Sequence, residues 1–213
     1  MKIAVIIPIY NEGKTIIGLI NKCLKYTDYL IIINDASTDI PSQSLNISKK
    51  IILINNLSNQ GLGSSIRKGF KKALQLPVDI ILSMDGDGQH KPEDIPGFIE
   101  KIKQGYGFVI GKRDFKGYPL SKRIGNKLLT FLTNTISSTK FSDTESGFRA
   151  YTKETIKRLN LEAERYQICA EIIKEIGKNK IKSAEIPIQI PYYIKGTTIV
   201  DGISNFWFIL KNG

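Results

Sequence analysis

Five short runs rich in β-branched residues punctuate the first half of the chain: Ile3–Pro8, Tyr29–Ile33, Ile51–Asn55, Asp79–Met84 and Gly107–Gly111. Each is nearly continuous in apolar residues rather than alternating, the pattern of a strand buried on both faces of a parallel sheet. Between them lie segments with apolar residues at helical spacing: Thr15–Tyr26, Leu62–Leu76 and Pro92–Gln104. Strands alternating with helices of this length predict an α/β fold, a single doubly wound, mostly parallel sheet flanked by helices. At 213 residues, with no repeat and no low-complexity linker, the chain suits one such domain.

In a sheet of this kind ligands bind beyond the carboxyl ends of the strands. All five runs end in polar or charged residues: Tyr10-Asn11-Glu12, Asn34–Asp39, Asn55-Asn56, Asp85–Gln89 and Lys112-Arg113. Three of these ends are acidic and converge on one edge. Their mutual repulsion gains a scaffold nothing, whereas a divalent cation with a hydrogen-bonding ligand would exploit it.

The sharpest of these ends is Asp85-Gly86-Asp87-Gly88-Gln89. Two carboxylates one residue apart, directly after a buried strand, can both turn toward one hard cation. Mg²⁺ and Mn²⁺ prefer oxygen ligands and commonly bridge to substrate phosphates. Such a clamp suits a sugar nucleotide, whose diphosphate gains negative charge as the glycosidic bond breaks. Haloacid-type phosphatases also carry D-x-D after a strand, but usually the first strand and followed by Thr or Val, where this chain has Gln89. A dinucleotide fold is disfavoured, because no G-x-G-x-x-G follows the first strand. The lone histidine, His90, has no second His or suitable Cys beside it, which argues against zinc. A packing or donor-loop role fits it better.

The 31 Lys and Arg against 20 Asp and Glu leave a net charge of +11. Such a surface attracts nucleic acid, anionic lipid or phosphorylated substrates. The acidic strand ends argue against nucleic acid as the main partner. Cys23 and Cys169 form no C-x-x-C pair and read as small core residues of a reducing, cytoplasmic compartment. No stretch approaches the ~20 apolar residues of a membrane span. Ile203–Leu210 is apolar and aromatic but short, an interfacial segment or the stub before a span.

Four segments occur in the order seen in family-2 glycosyltransferases: Pro8–Glu12, the NDASTD of Asn34–Asp39, Asn59–Gly63, and DGDGQHKPED at Asp85–Asp94. The resemblance covers roughly residues 1–200 and implies the GT-A fold, a metal-dependent hexosyltransferase and inversion at the anomeric carbon. It implies that Pro8, Tyr10, Glu12 and Asp35 border the nucleoside of a GDP- or UDP-sugar. Asp85, Asp87 and Gln89 would serve Mg²⁺ or Mn²⁺ and the diphosphate, with Arg67 assisting the donor. Residues 201–213 then form a membrane-proximal tail.

The second half points to the acceptor. Tyr118–Ser138 reads as an amphipathic helix whose apolar face holds Leu120, Ile124, Leu128, Leu129, Phe131, Leu132 and Ile136. Asp143–Tyr151 reads as a loop and short strand, Arg165–Gly177 as a helix, and Ile181–Pro187 as a strand. Asp143–Arg149 resembles the D-x-x-S-G-F-R segment of dolichol-phosphate mannose synthases and other polyprenyl-phosphate glycosyltransferases. A phosphate acceptor is already anionic, so it requires cations to position it rather than a strong base. The resemblance implies Arg123 and Ser146 as phosphate contacts, with Lys122 and Arg149 as further candidates. It also implies mannose or glucose as the sugar and a protein peripheral to the cytoplasmic membrane face. Relatives acting on sugar hydroxyls often pair two acidic residues here; this chain has Asp143 and Glu145 flanking Thr144. The family's R-x-x-G-x-S-K-type loop is represented by Tyr193–Ile199, where Thr198 replaces the serine and the lysine is missing.

Overall fold

The computed structural model describes residues 1–40, 42–45, 48–188 and 190. The Tyr193–Ile199 loop and the Ile203–Leu210 run lie outside them. The five sequence runs form strands β1 (Ile3–Ile9), β2 (Tyr29–Asn34), β3 (Ile51–Asn55), β4 (Ile80–Ser83) and β5 (Phe108–Arg113). Two more follow, β6 (Arg149–Thr152) and β7 (Ser183–Ile188). They make one seven-stranded sheet in the order β3-β2-β1-β4-β6-β5-β7. Every pairing is parallel except those of β6, which runs antiparallel between β4 and β5.

Continuous apolar runs are explained by where alternate residues go. Val5, Ile7, Ile9, Leu30, Ile32 and Leu82 enter one core, beneath α1 (Gly13–Cys23) and α3 (Ile95–Lys103). Ala4, Ile6, Ile31, Ile33 and Ile81 enter the other, beneath α2 (Leu62–Leu74) and α6 (Ile168–Lys178). Each fully buried isoleucine removes enough apolar surface from water to contribute about 1.5–3 kcal/mol.

Among the described residues the remaining α-helices are α4 (Leu120–Ser137) and α5 (Lys153–Arg158). Helix α4 departs from ordinary amphipathic packing. Its buried residues are the polar Thr130, Thr133 and Ser137, while Leu120, Ile124, Leu128 and Phe131 are 67%, 56%, 57% and 65% exposed. Leu129, Leu132 and Ile136 are half-buried. The strand order runs outward from β1 through β2 to β3, and in the other direction through β4. The carboxyl ends of β1 and β4 therefore flank the point where the winding reverses, the place where doubly wound sheets bind ligands.

Candidate functional site

The loops after β1, β2 and β4 are knitted together at this edge. Asn11 adopts φ 56°; its N–H donates to Ser37 Oγ (3.1 Å), and its Oδ1 accepts the Thr38 N–H (2.9 Å). Glu12 caps α1 with its backbone carbonyl, which accepts the N–H groups of Thr15 and Ile16. Pro8 is buried at the end of β1, and Tyr10 stands half exposed beyond it. Gly86 lies against this end: a Cβ there would meet Ile9 Cγ2 at 2.7 Å and the Pro8 carbonyl at 3.0 Å. Only a glycine brings the Asp85–Asp87 turn this close to β1.

Asp35 is buried and fully engaged. Its Oδ1 accepts from Asn56 Nδ2 (2.6 Å) and the Gln60 N–H (2.9 Å), and its Oδ2 accepts the Gly61 N–H (2.8 Å). Lys68 reaches back from α2 to Asn56 Oδ1 and Gln60 Oε1. Sequence reasoning selected the neighbouring Arg67 and missed Lys68, Asn56 and Gln60 as the frame of this loop. Lys68 lies eight residues beyond Gln60, about two helical turns, which was the available signal. Arg67 is half-buried, and its Nε has no hydrogen-bond partner among the described residues.

Asp85 and Asp87 stand half-buried just past β4. Asp87 Oδ1 accepts the Gln89 N–H (2.9 Å) and Oδ2 accepts Gln89 Nε2 (2.6 Å), so the two predicted ligands are already joined. Burial and the neighbouring Asp85 push the Asp87 carboxyl up from its ordinary value, against the lowering effect of the Gln89 hydrogen bonds. His90 is wholly buried and stacks on Phe148, ring centroids 5.0 Å apart. Burial holds its imidazole below the ordinary histidine range, outweighing Asp85 and Asp87. Its Nδ1 accepts the Asp85 N–H (3.0 Å), which leaves the proton on Nε2, 3.6 Å from Asp85 Oδ2. The histidine thus fixes the backbone of one predicted ligand and faces its carboxylate, as partners behind metal ligands commonly do.

These residues fit a divalent cation. Among the described residues no cluster of three or more His, Cys, Asp or Glu could cage an ion. Two carboxylates plus an amide oxygen are the hard, incomplete donor set that Mg²⁺ or Mn²⁺ accepts when phosphates supply the remainder. The negative charge that burial, and then Asp85, disfavours on Asp87 is what such a cation would stabilise. Replacing His90 by Ala is expected to weaken Mn²⁺ binding in the presence of a nucleoside diphosphate about 10- to 100-fold. Calorimetric titration reads this directly; an unchanged affinity removes His90 from the support of the site.

The loop Asp143–Phe148 closes the crevice from the other side. Gly147 packs on Asp85, where an added Cβ would lie 2.3 Å from Oδ1. Ser83 Oγ donates to the Gly147 carbonyl (3.0 Å). Arg149, 2% exposed, spends its guanidinium on the loop itself, donating from Nε to the Ser146 carbonyl and from Nη2 to the Thr144 carbonyl, both at 2.8 Å. It is a clamp inside the protein. Ser146 Oγ is buried with no hydrogen-bond partner among the described residues.

Arg113 and Asp143 form a two-pronged pair, Nε–Oδ2 2.6 Å and Nη2–Oδ1 2.8 Å, and Nη2 also reaches Asn126 Oδ1 on α4 (3.1 Å). Burial alone would raise the Asp143 carboxyl, but Arg113 holds it below the ordinary range. Glu145 is raised by burial, against the pull of Arg149 and Arg113. Arg123 is exposed on the first turn of α4 and Lys122 beside it is exposed too. A groove of about 490 Å³ between the carboxyl ends of α4 and α6 and the start of β7 opens at the opposite edge and carries no acid pair.

Residues 4–160 match the model of the family described as glycosyl transferase family 2. The chain belongs to this family. It is 33% identical to the UDP-N-acetylglucosamine–dolichyl-phosphate N-acetylglucosaminyltransferase of Methanococcus voltae, across 98% of this chain and 94% of that protein. It is 30% identical to the dolichol-phosphate mannosyltransferase of Pyrococcus furiosus, across 98% of this chain and 62% of that longer protein. The fold superimposes on Mycobacterium tuberculosis glucosyl-3-phosphoglycerate synthase solved with Mg²⁺ and UDP, with TM-score 0.76 at 16% identity, covering 99% of this chain and 78% of that one. This family-2 chain has the GT-A fold, as its motifs implied.

Proposed function

We propose that this glycosyltransferase moves a hexose, mannose or glucose, from a GDP- or UDP-sugar to a polyprenyl phosphate, with inversion. One observation carries the reading: the loop presenting Ser146 rests, through Gly147, directly on the predicted metal ligand Asp85. Donor diphosphate and acceptor phosphate would thus meet across one wall. Pro8, Tyr10, Glu12 and Asp35 border the nucleoside, and Arg67 Nε, without a hydrogen-bond partner among the described residues, is an unspent donor on α2. Asp85, Asp87 and Gln89 would hold Mg²⁺ or Mn²⁺, which would supply positive charge against the leaving diphosphate. Arg123 and the unpartnered Ser146 hydroxyl grip the acceptor phosphate, whose oxygen attacks the anomeric carbon from the face opposite the leaving group. Both dolichyl-phosphate enzymes named above support this acceptor class. Residues 1–200 form the catalytic domain on this reading. Residues 201–213 and the basic surface keep it at the cytoplasmic membrane face. Among the described residues no helix is long and apolar enough to cross a membrane.

A second reading rests on Glu145. A half-buried carboxyl held above the ordinary glutamate range by its surroundings is suited to accept a proton from a sugar hydroxyl, as a polysaccharide-building transferase requires. Radiolabelled GDP-mannose and UDP-glucose, offered with short polyprenyl phosphates and Mn²⁺, separate the two. Label entering the lipid fraction and abolished by EDTA is expected. Donor hydrolysis without lipid label, or transfer only to glycans, sinks the lipid-phosphate reading in favour of the hydroxyl acceptor.

A further inference from the structure

Residues 159–164 belong to no helix or strand, and the side chains of Glu162, Glu164, Arg165 and Tyr166, in and just after this segment, are exposed. The segment is held by its backbone. On α6, one helical turn apart, stand Glu171 and Glu175, 9% and 6% exposed. Glu171 accepts the Glu162 N–H on Oε1 (2.9 Å) and the Ala163 N–H on Oε2 (3.0 Å). Glu175 Oε2 accepts the Asn160 N–H (3.0 Å), and its Oε1 accepts from Lys178 Nζ (3.2 Å). Like charges one turn apart repel, and a carboxylate is costly to bury unless donors meet it. Here the donors are the N–H groups of a segment with no ladder of its own.

The carbonyls that follow show what this pinning achieves. Helix α2 has no side-chain cap at its start, and the Ser64 N–H in its first turn donates to the Glu164 carbonyl (3.0 Å). A Cβ on Gly63 would lie 2.3 Å from the Ala163 carbonyl oxygen, and one on Gly61 2.6 Å from that of Glu164. Backbone therefore rests directly on backbone beside the Gln60 and Gly61 N–H groups that hold Asp35. We infer that Glu171 is a positioning residue of the donor site. It fixes the carbonyls of Ala163 and Glu164; these fix Gly61, Gly63 and Ser64, and the turn so placed holds the Asp35 carboxylate. Within the segment Glu175 reaches only Asn160, three residues before the first of these carbonyls. The effect of Glu171 on the donor rests on the placement of Asp35 beside the nucleoside proposed above, whereas its tie to the Gln60–Ser64 turn does not.

The test compares Glu171→Gln with Glu175→Gln in the full chain. In Glu171→Gln one side-chain oxygen still accepts, but the amide turns its own N–H toward the second backbone N–H, so one pin becomes a repulsion. Glu175→Gln weakens a bond to the same segment, from the same helix and at similar burial, but away from the contact with α2. Binding of GDP and of UDP, each with Mn²⁺, is titrated calorimetrically. The nucleotide that wild type prefers is expected to bind at least about tenfold more weakly to Glu171→Gln and within about twofold of wild type to Glu175→Gln, even where both variants melt lower. In transfer, KM for the sugar nucleotide should rise in Glu171→Gln while kcat stays within about threefold of wild type. The amides of Gln60, Gly61 and Ser64 should exchange hydrogen faster in Glu171→Gln alone, with the sheet unchanged. An equal loss of affinity in both variants marks general destabilisation and overturns the inference, as does wild-type affinity in Glu171→Gln or unchanged exchange at those three amides. Should Glu171→Gln fail to fold, Gly63→Ala strikes the same contact from α2. It should show the same loss, and nucleotide binding within about twofold of wild type overturns the inference there too. A wild type that binds neither nucleotide, with faster exchange of the turn in Glu171→Gln alone, removes the donor reading and leaves Glu171 as the residue that places the turn, so the two failures are distinct.

Discussion

Asp87→Asn is expected to abolish sugar transfer while leaving the fold intact. The substitution keeps the shape of the side chain and an oxygen to accept the Gln89 N–H (2.9 Å), but removes the charge that a divalent cation would share with Asp85. Removing one group that stabilises developing charge typically lowers turnover about 10²–10³-fold, and a lost metal ligand belongs at the upper end. Stability moves the other way. The Asp87 carboxyl is raised in the folded protein, first by burial and then by Asp85. Relative to the unfolded chain its contribution is therefore fully present at low pH and lost as pH rises through the folded value. Metal-free wild type should lose more stability across that window than the asparagine variant, which lacks this one carboxylate to bury. Thermal melts of both proteins in EDTA, from about pH 4 to pH 8, read the difference. Mn²⁺ should raise the wild-type melting temperature at pH 8 and leave the variant unmoved. A variant that keeps a tenth of wild-type transfer, or is still stabilised by Mn²⁺, removes Asp87 from the metal site.

Local patterns carried most of the fold. Runs such as Ile3–Ile9 bury alternate residues in two different cores, so both faces require apolar side chains, and that requirement is written as continuity. The motif residues after β1, β2 and β4 were equally legible, because the carboxyl edge of a parallel sheet gathers strand ends by topology alone. What escaped was set by partners distant in sequence. Strand β6 was read only as a short strand after a loop. Its place between β4 and β5, antiparallel to both, depends on pairings such as Ile81 with Tyr151 that no local pattern announces. The short helix α5 went unread, since six residues hold too little periodicity. In α4 the spacing revealed an apolar face but not its direction, because hydrophobic periodicity is blind to whether protein or lipid covers the stripe. Arg149 looked like a ligand for phosphate because arginine so often is. Its burial and its two backbone carbonyl acceptors make it the clamp of the Ser146 loop instead.

That clamp makes Gly147 a demanding small residue of the site. Gly147→Ala places a methyl group 2.3 Å from Asp85 Oδ1 and 2.8 Å from its Cγ, well inside contact distance. Relief requires one side to move, and the loop is poorly placed to do so. Its Thr144 and Ser146 carbonyls are held by buried Arg149, and Ser83 Oγ holds the carbonyl of Gly147 itself. The carboxylate of Asp85 is the less restrained partner, although its backbone is anchored on His90. The expected result is rotation of that carboxylate away from the position it shares with Asp87. A displacement of about 1 Å in a reacting array costs on the order of 10²-fold in rate, whereas overpacking of this kind costs about 1–3 kcal/mol in stability. Transfer and Mn²⁺ affinity should therefore fall together and steeply, with only a modest drop in melting temperature. Gly18→Ala is the matched control: it lies inside α1 with nothing within 4 Å of an added Cβ, so it should leave transfer unchanged and stabilise the protein by about 0.5–1 kcal/mol. If Gly147→Ala transfers within threefold of wild type, the Ser146 loop is free to retreat, and the shared wall between donor and acceptor is not the rigid element its hydrogen bonds describe.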